Sequence, residues 1–116
     1  SYTTSPAYHM VAEETDRYQA AEFAEGHYLQ VEVAGLLAAA PEKDLAREFL
    51  RFMMTPGFQN EIPTNNWMLP AAPVTMELPE AFATLVSPEK TFLYSPEEVA
   101  ENRAAWVEEW LGAMSR

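Results

Sequence analysis

The sequence predicts a mixed α/β chain, rich in helix and poor in strand. Three observations carry that expectation. Helix-start signals built on proline recur at Ser5-Pro6, Pro41-Glu42, Thr55-Pro56, Leu78-Pro79-Glu80 and Ser95-Pro96. Proline fits the first helical turn because its φ is pre-set and no amide donor is needed there. Apolar residues recur at helical spacing in two long runs, Pro41 to Met54 and Pro96 to Ala113. Period-two alternation is confined to Tyr28–Val33, with a second short strand candidate at Thr91–Tyr94.

The opening Ser1-Tyr2-Thr3-Thr4 reads as the end of a strand already under way, and the chain as a piece of a longer protein. Ser5 and Pro6 then start a helix to about Glu14, with Tyr8 in its first turn. Asp16 to Phe23 is polar and ambiguous. Glu25-Gly26 is a turn. In the strand Tyr28–Val33, Leu29, Val31 and Val33 form one face, expected to be buried. Tyr28, Gln30 and Glu32 form the other. Leu45, Phe49 and Phe52 give the next helix a wide apolar stripe, which packing explains.

Thr55 is the expected cap of a short helix from Pro56 to about Glu61. The segment Thr64-Asn65-Asn66-Trp67-Met68-Leu69-Pro70 follows, bracketed by Pro63 and Pro70. It reads as a stiff loop carrying a large aromatic. A tryptophan in such a loop either plugs a core or faces a ligand. Another short helix is expected from Pro79 to about Leu85. Ser95-Pro96-Glu97-Glu98 is a capping box, with Ser95 and Glu98 satisfying each other's amides. Along the last helix, Val99, Arg103, Trp106, Trp110 and Met114 share one side. Trp106 and Trp110 read as core residues or as a dock for further protein.

Composition narrows the function. The formal net charge is −11, from 18 acidic and 7 basic residues. With no basic cluster to follow a phosphate backbone, nucleic acid is excluded as a partner, and an anionic membrane surface is disfavoured. No apolar run reaches the length of a membrane span. The chain has no cysteine, hence no thiolate metal site and no disulfide. The four glycines are scattered, so no phosphate loop is formed. No catalytic constellation is evident. His9 and Glu13 share a helix face and could be grouped with His27 as metal ligands, but they match no motif. What remains is a set of aromatics at places where ligand sites gather: Tyr2 at a strand end, Tyr8 at a helix start and Trp67 in a rigid loop.

Three runs carry a resemblance: Tyr28 to Ala34, Ala46 to Gln59 and Ile62 to Pro70. Together they resemble the bacterial extracellular solute-binding proteins, and among these the thiamine-binding members. Ser1 to His9, Glu25-Gly26-His27-Tyr28, Asn66-Trp67-Met68 and the ending with Trp106, Trp110 and Ser115-Arg116 are similar as well, so the whole chain is covered. The resemblance implies the C-terminal part of a two-lobed α/β periplasmic binding protein. Residues 1–116 would be one C-terminal fragment that starts in a hinge strand. It implies a non-enzymatic component of an ABC importer, located in the periplasm, that delivers its ligand to membrane permease subunits without inserting into the bilayer. No cofactor is implied; thiamine, or a thiamine phosphate ester, would be the transported ligand. Tyr2, Tyr8 and Trp67 match aromatics of the ligand cleft, with Asn66 beside them. A flat pyrimidine and a permanently cationic thiazolium suit such rings, at about 0.5–2 kcal/mol per desolvated contact. Ferric-ion binders of the same superfamily use adjacent tyrosines, and this chain has no Tyr-Tyr pair. The alternative of a metal-dependent enzyme would rest on His9, Glu13 and His27.

Overall fold

Four of the five proline signals open a helical turn and the capping box formed in full, whereas after Pro41-Glu42 the helix begins only at Lys43. The computed structural model describes residues 2–115. Five α-helices form: α1 (Ser5–Ala12), α2 (Lys43–Met53), α3 (Pro56–Gln59), α4 (Ile62–Asn65) and α5 (Pro96–Met114). A 3₁₀ turn spans Glu80–Thr84. Two short strands, β1 (His27–Tyr28) and β2 (Thr91–Phe92), pair in parallel with His27 opposite Thr91 and Tyr28 opposite Phe92. The chain is helix-rich with little strand, as its sequence predicts.

Several boundaries differ from expectation for local reasons. Tyr2 to Thr4 is not extended. The Ser5 N–H donates to the Tyr2 carbonyl (3.1 Å) and the Ala7 N–H to the Thr4 carbonyl (3.1 Å), so the segment winds into the helix start. Ser1, the remainder of the expected strand end, lies outside the described residues. Ser5 is therefore the first residue of α1 rather than its cap. The cap position falls to Thr4, which is buried and whose hydroxyl has no hydrogen-bond partner among the described residues. α1 stops before Glu14, which turns into the left-handed region at φ 52°.

Thr55 does not cap α3 with its side chain. Its hydroxyl donates back to the Phe52 carbonyl (2.7 Å), closing α2 instead. α4 begins at Ile62 and runs on into Thr64 and Asn65, the first residues of the segment expected to be loop. Pro63 sits in its first turn, where a missing N–H costs nothing. The expected α-helix after Pro79 is the tighter 3₁₀ turn.

Gly26 is required where it stands. Its φ is +116°, and a Cβ there would lie 3.1 Å from the Lys90 carbonyl oxygen. That close approach lets β1 meet β2, with the His27 N–H donating to the Lys90 carbonyl at 3.0 Å.

The burial expected for the apolar faces is not found within this chain. Only Tyr28 of the alternating run is in the ladder; Leu29, Val31 and Val33 are all exposed, Val33 at 88%. A strand face is covered only where a neighbour pairs or packs, and β2 offers two residues. The α2 stripe is likewise exposed at Leu45, Phe49 and Phe52. Its Phe49 and Phe52 rings meet Phe58, 6.3 and 5.9 Å between centroids, on one side only. α5 buries no residue. Trp106 touches the Tyr94 ring at 5.0 Å, and Trp110 is 60% exposed, so neither is a core residue here. The radius of gyration is 17.8 Å, against about 13 Å for a compact domain of about 100 residues. Buried residues instead concentrate around the start of α1 and the α3–α4 turns: Pro6, Ala7, Gln59 and Pro63.

The capping box gives a clean test. The Glu98 N–H donates to Ser95 Oγ (3.2 Å) and the Ser95 N–H to Glu98 Oε2 (2.9 Å). These bonds from Ser95, the backbone one first, hold the Glu98 carboxyl below its ordinary pKa. A depressed carboxylate stabilises the fold above its unfolded-state pKa, and the contribution is lost as pH falls through the lowered folded value. Ser95→Ala, which removes the Oγ that accepts the Glu98 N–H, is expected to cost about 0.5–2 kcal/mol of helix stability at neutral pH. The Ser95 backbone N–H, the main cause of the lowered Glu98 pKa, survives this substitution, so both proteins should lose that contribution on acidification below the usual carboxylate range. Helicity followed by circular dichroism during urea titration at both pH values measures it.

Candidate functional site

Trp67 is placed by the way α4 ends. Asn66 caps the helix with its N–H on the Ile62 carbonyl (3.0 Å), and the next residue swings left-handed, with Trp67 at φ 55°. Helices commonly end this way, but the residue is usually glycine. For a side chain with a Cβ the conformation costs about 1–2 kcal/mol. Strain of this kind clusters at functional sites.

The turn carries the half-buried indole between two segments distant in sequence. Phe82, in the 3₁₀ turn, lies nearly parallel to it, at 12° and 6.4 Å between centroids. Tyr8, in α1, meets it edge to face at 5.3 Å and 81°. The row continues from Tyr8 to His9 at 5.2 Å and from His9 to Tyr18 at 4.3 Å. The Arg17 guanidinium lies over Tyr18 at 5.1 Å from the ring centroid. Five rings from three parts of the chain thus run Phe82, Trp67, Tyr8, His9, Tyr18.

Of the residues expected to form a site, Tyr8 and Trp67 are in contact. Tyr2 stands toward the His9–Tyr18 end of the row, apart from Trp67. It lines a cavity of about 340 Å³ together with Pro6, His9, Tyr18, Phe23 and His27. Asn66 is directed elsewhere. Its amide donates to Glu32 Oε2 (3.1 Å) at the edge of a second cavity of about 520 Å³, whose lining includes Leu50, Met53, Phe58 and Ile62. The proposed metal trio does not assemble. His9 Nδ1 pairs with Glu13 Oε2 at 2.7 Å, whereas His27 Nε2 accepts the Phe23 N–H at 3.2 Å. Among the described residues no three potential ligands gather.

Phe82 and Tyr18 escaped sequence reading. Phe82 carries no local signal, because its role arises only when the 3₁₀ turn packs on α1. Tyr18 lies in a polar stretch without periodicity, and only its stacking on His9 marks it.

Exposed π faces beside a ring-lined cavity can hold a flat, electron-poor or cationic ring by stacking. A pocket that recognises a small solute this way fits a binding protein. The fold agrees: the chain has the periplasmic binding protein fold over the part it spans. It superposes over its full length on 36% of a solved structure described as "Periplasmic thiamin binding protein", with a TM-score of 0.81 and 56% sequence identity.

In sequence it is similar to proteins named "Thiamine-binding periplasmic protein". Identity is 56% with those of Brucella suis and Escherichia coli and 36% with that of Haemophilus influenzae. All of this chain is covered, but it spans only about a third of these relatives, 35%, 35% and 34% of their lengths. No protein-family model matches the chain.

Phe82→Ala removes the parallel partner of Trp67. It should destabilise the fold by about 0.5–1.5 kcal/mol beyond the lost burial. In a background with Trp106 and Trp110 replaced by Phe, Trp67 emission should move to longer wavelength as water reaches the indole. Steady-state fluorescence of the two proteins checks this.

Proposed function

We propose that this chain is the C-terminal third of a two-lobed periplasmic solute-binding protein. That protein would serve an ABC importer, take up thiamine or a thiamine phosphate ester, and pass it to the permease subunits. The observation that carries this reading is the match along every residue of the chain to thiamine-binding periplasmic proteins at 56% identity. In this reading the site is a binding cleft rather than an enzyme active site, and the protein works in the periplasm. Tyr2, Tyr8 and Trp67 form one wall, and the segment around Tyr2 lies where the lobes connect. Asn66, beside Trp67 in sequence, bonds to Glu32 at the second cavity and stands apart from this wall.

The physical chemistry supports the assignment. A thiazolium carries a fixed positive charge that no pH change removes. Phenol and indole faces attract it through their quadrupoles without placing an opposite charge in the cleft. The pyrimidine ring stacks on the same kind of surface. A net charge of −11 favours the approach of a cation at low ionic strength.

Trp67 decides between this reading and a purely structural one. In the full-length protein, Trp67→Ala is expected to weaken thiamine binding by about 2–4 kcal/mol, as for a central aromatic anchor. Trp67→Phe should recover part of the loss, because a smaller flat face remains. Calorimetric titration and thermal unfolding of the same variants separate the cases. If Trp67→Ala unfolds early while its folded fraction binds thiamine normally, Trp67 is a packing residue and the site is wrong.

A further inference from the structure

The loop that presents Trp67 is closed at its base by one buried side chain. Gln59, the last residue of α3, is only 3% exposed. Its amide makes three hydrogen bonds to backbone. Nε2 donates to the Met53 carbonyl at the end of α2 (2.7 Å). Oε1 accepts the consecutive N–H groups of Ala71 (2.8 Å) and Ala72 (3.0 Å). Residues 60–70, with α4 and Trp67 among them, thus leave Gln59 and return to it. Asn60 adds an outer rung on the returning segment. Its Oδ1 accepts the Thr75 N–H (2.9 Å) and its Nδ2 donates to the Thr75 hydroxyl (3.1 Å). Two neighbouring amides therefore hold the returning segment where no strand or helix ladder does so.

We propose that Gln59, reinforced by Asn60, is a positioning residue for ligand binding: it clamps the loop so that Trp67 is held against Tyr8 in the left-handed turn. The inference rests on the reading that Trp67 contacts thiamine. A strained residue keeps its geometry only when its surroundings over-determine it. Here α4 fixes the approach to Trp67, and the clamp fixes the exit. Without the clamp, three part-buried hydrogen bonds to backbone are lost, and the exit from the loop is free to move. Among the described residues the Gln59 amide bonds only to the backbone of Met53, Ala71 and Ala72, so its effect on binding would be carried by the backbone.

Gln59→Met keeps the side-chain volume and deletes all three bonds; Asn60→Ala deletes the outer rung in a less buried place and guards against a variant that fails to fold. Both are made in the full-length protein beside Trp67→Ala. Thiamine affinity is measured by calorimetry, and amide hydrogen exchange is followed across residues 66–72. The expected result is weaker thiamine binding on the order of tenfold for Gln59→Met. Asn60→Ala should show a smaller loss. Exchange should be faster at residues 66–72 in both, while α5 stays protected. If Trp67→Ala impairs binding but both amide variants bind as wild type, the site stands and the clamp is overturned. If exchange at residues 66–72 is unchanged, the clamp is likewise overturned. If Trp67→Ala itself binds normally, the thiamine site fails and the positioning role falls with it.

Discussion

The contact on which the arrangement depends is the one between Trp67, Tyr8 and Phe82. It joins α1, the turn after α4 and the 3₁₀ turn, three segments with no shared ladder of hydrogen bonds. Each aromatic pair is worth about 0.5–1.5 kcal/mol beyond simple burial. Two such pairs offset the cost of about 1–2 kcal/mol for a bulky residue in the left-handed region. The indole is therefore held in place without being sealed into a core. A ring that is fixed yet partly open is suited to stacking on a ligand, because little side-chain entropy remains to be lost on binding.

The apolar faces left open elsewhere have a common character. The alternating face of Leu29, Val31 and Val33, the stripe of Leu45, Phe49 and Phe52, and the Trp110 side of α5 are patterned as for burial yet stand exposed. Isolated exposed apolar residues are ordinary, but faces with this periodicity mark surfaces that meet other protein. In the proposed two-lobed arrangement, these faces are where the remaining two thirds of the protein would pack. The large radius of gyration would follow from the same arrangement.

Much of this was legible in the sequence where the determinants are local. The capping box at Ser95 and Glu98 and the proline-started helices depend on neighbours within one turn, and each formed. Tyr8 and Trp67 were singled out from their setting and do meet. The failures are those of long-range packing. The run from Leu29 to Val33 has strand periodicity, but periodicity names a face and does not provide a partner strand. Thr55 looked like a cap, yet its hydroxyl found the Phe52 carbonyl first. Asn66 sits beside Trp67 in sequence, but the left-handed turn separates their side chains. Phe82 became visible only once α1 and the 3₁₀ turn were seen together. Gln59 falls within the short helix expected from Pro56, and nothing local announces an amide that closes a loop twelve residues on, at Ala71.

The most direct measurement follows the tryptophan indole N–H resonances of the full-length protein, labelled with ¹⁵N, during a thiamine titration. Trp67, Trp106 and Trp110 then act as three reporters in one sample. With Trp67 lining the ligand cleft, its signal is expected to shift and saturate with thiamine, while Trp106 and Trp110 stay where they were. A Trp67 resonance that does not move at saturating thiamine would contradict that placement.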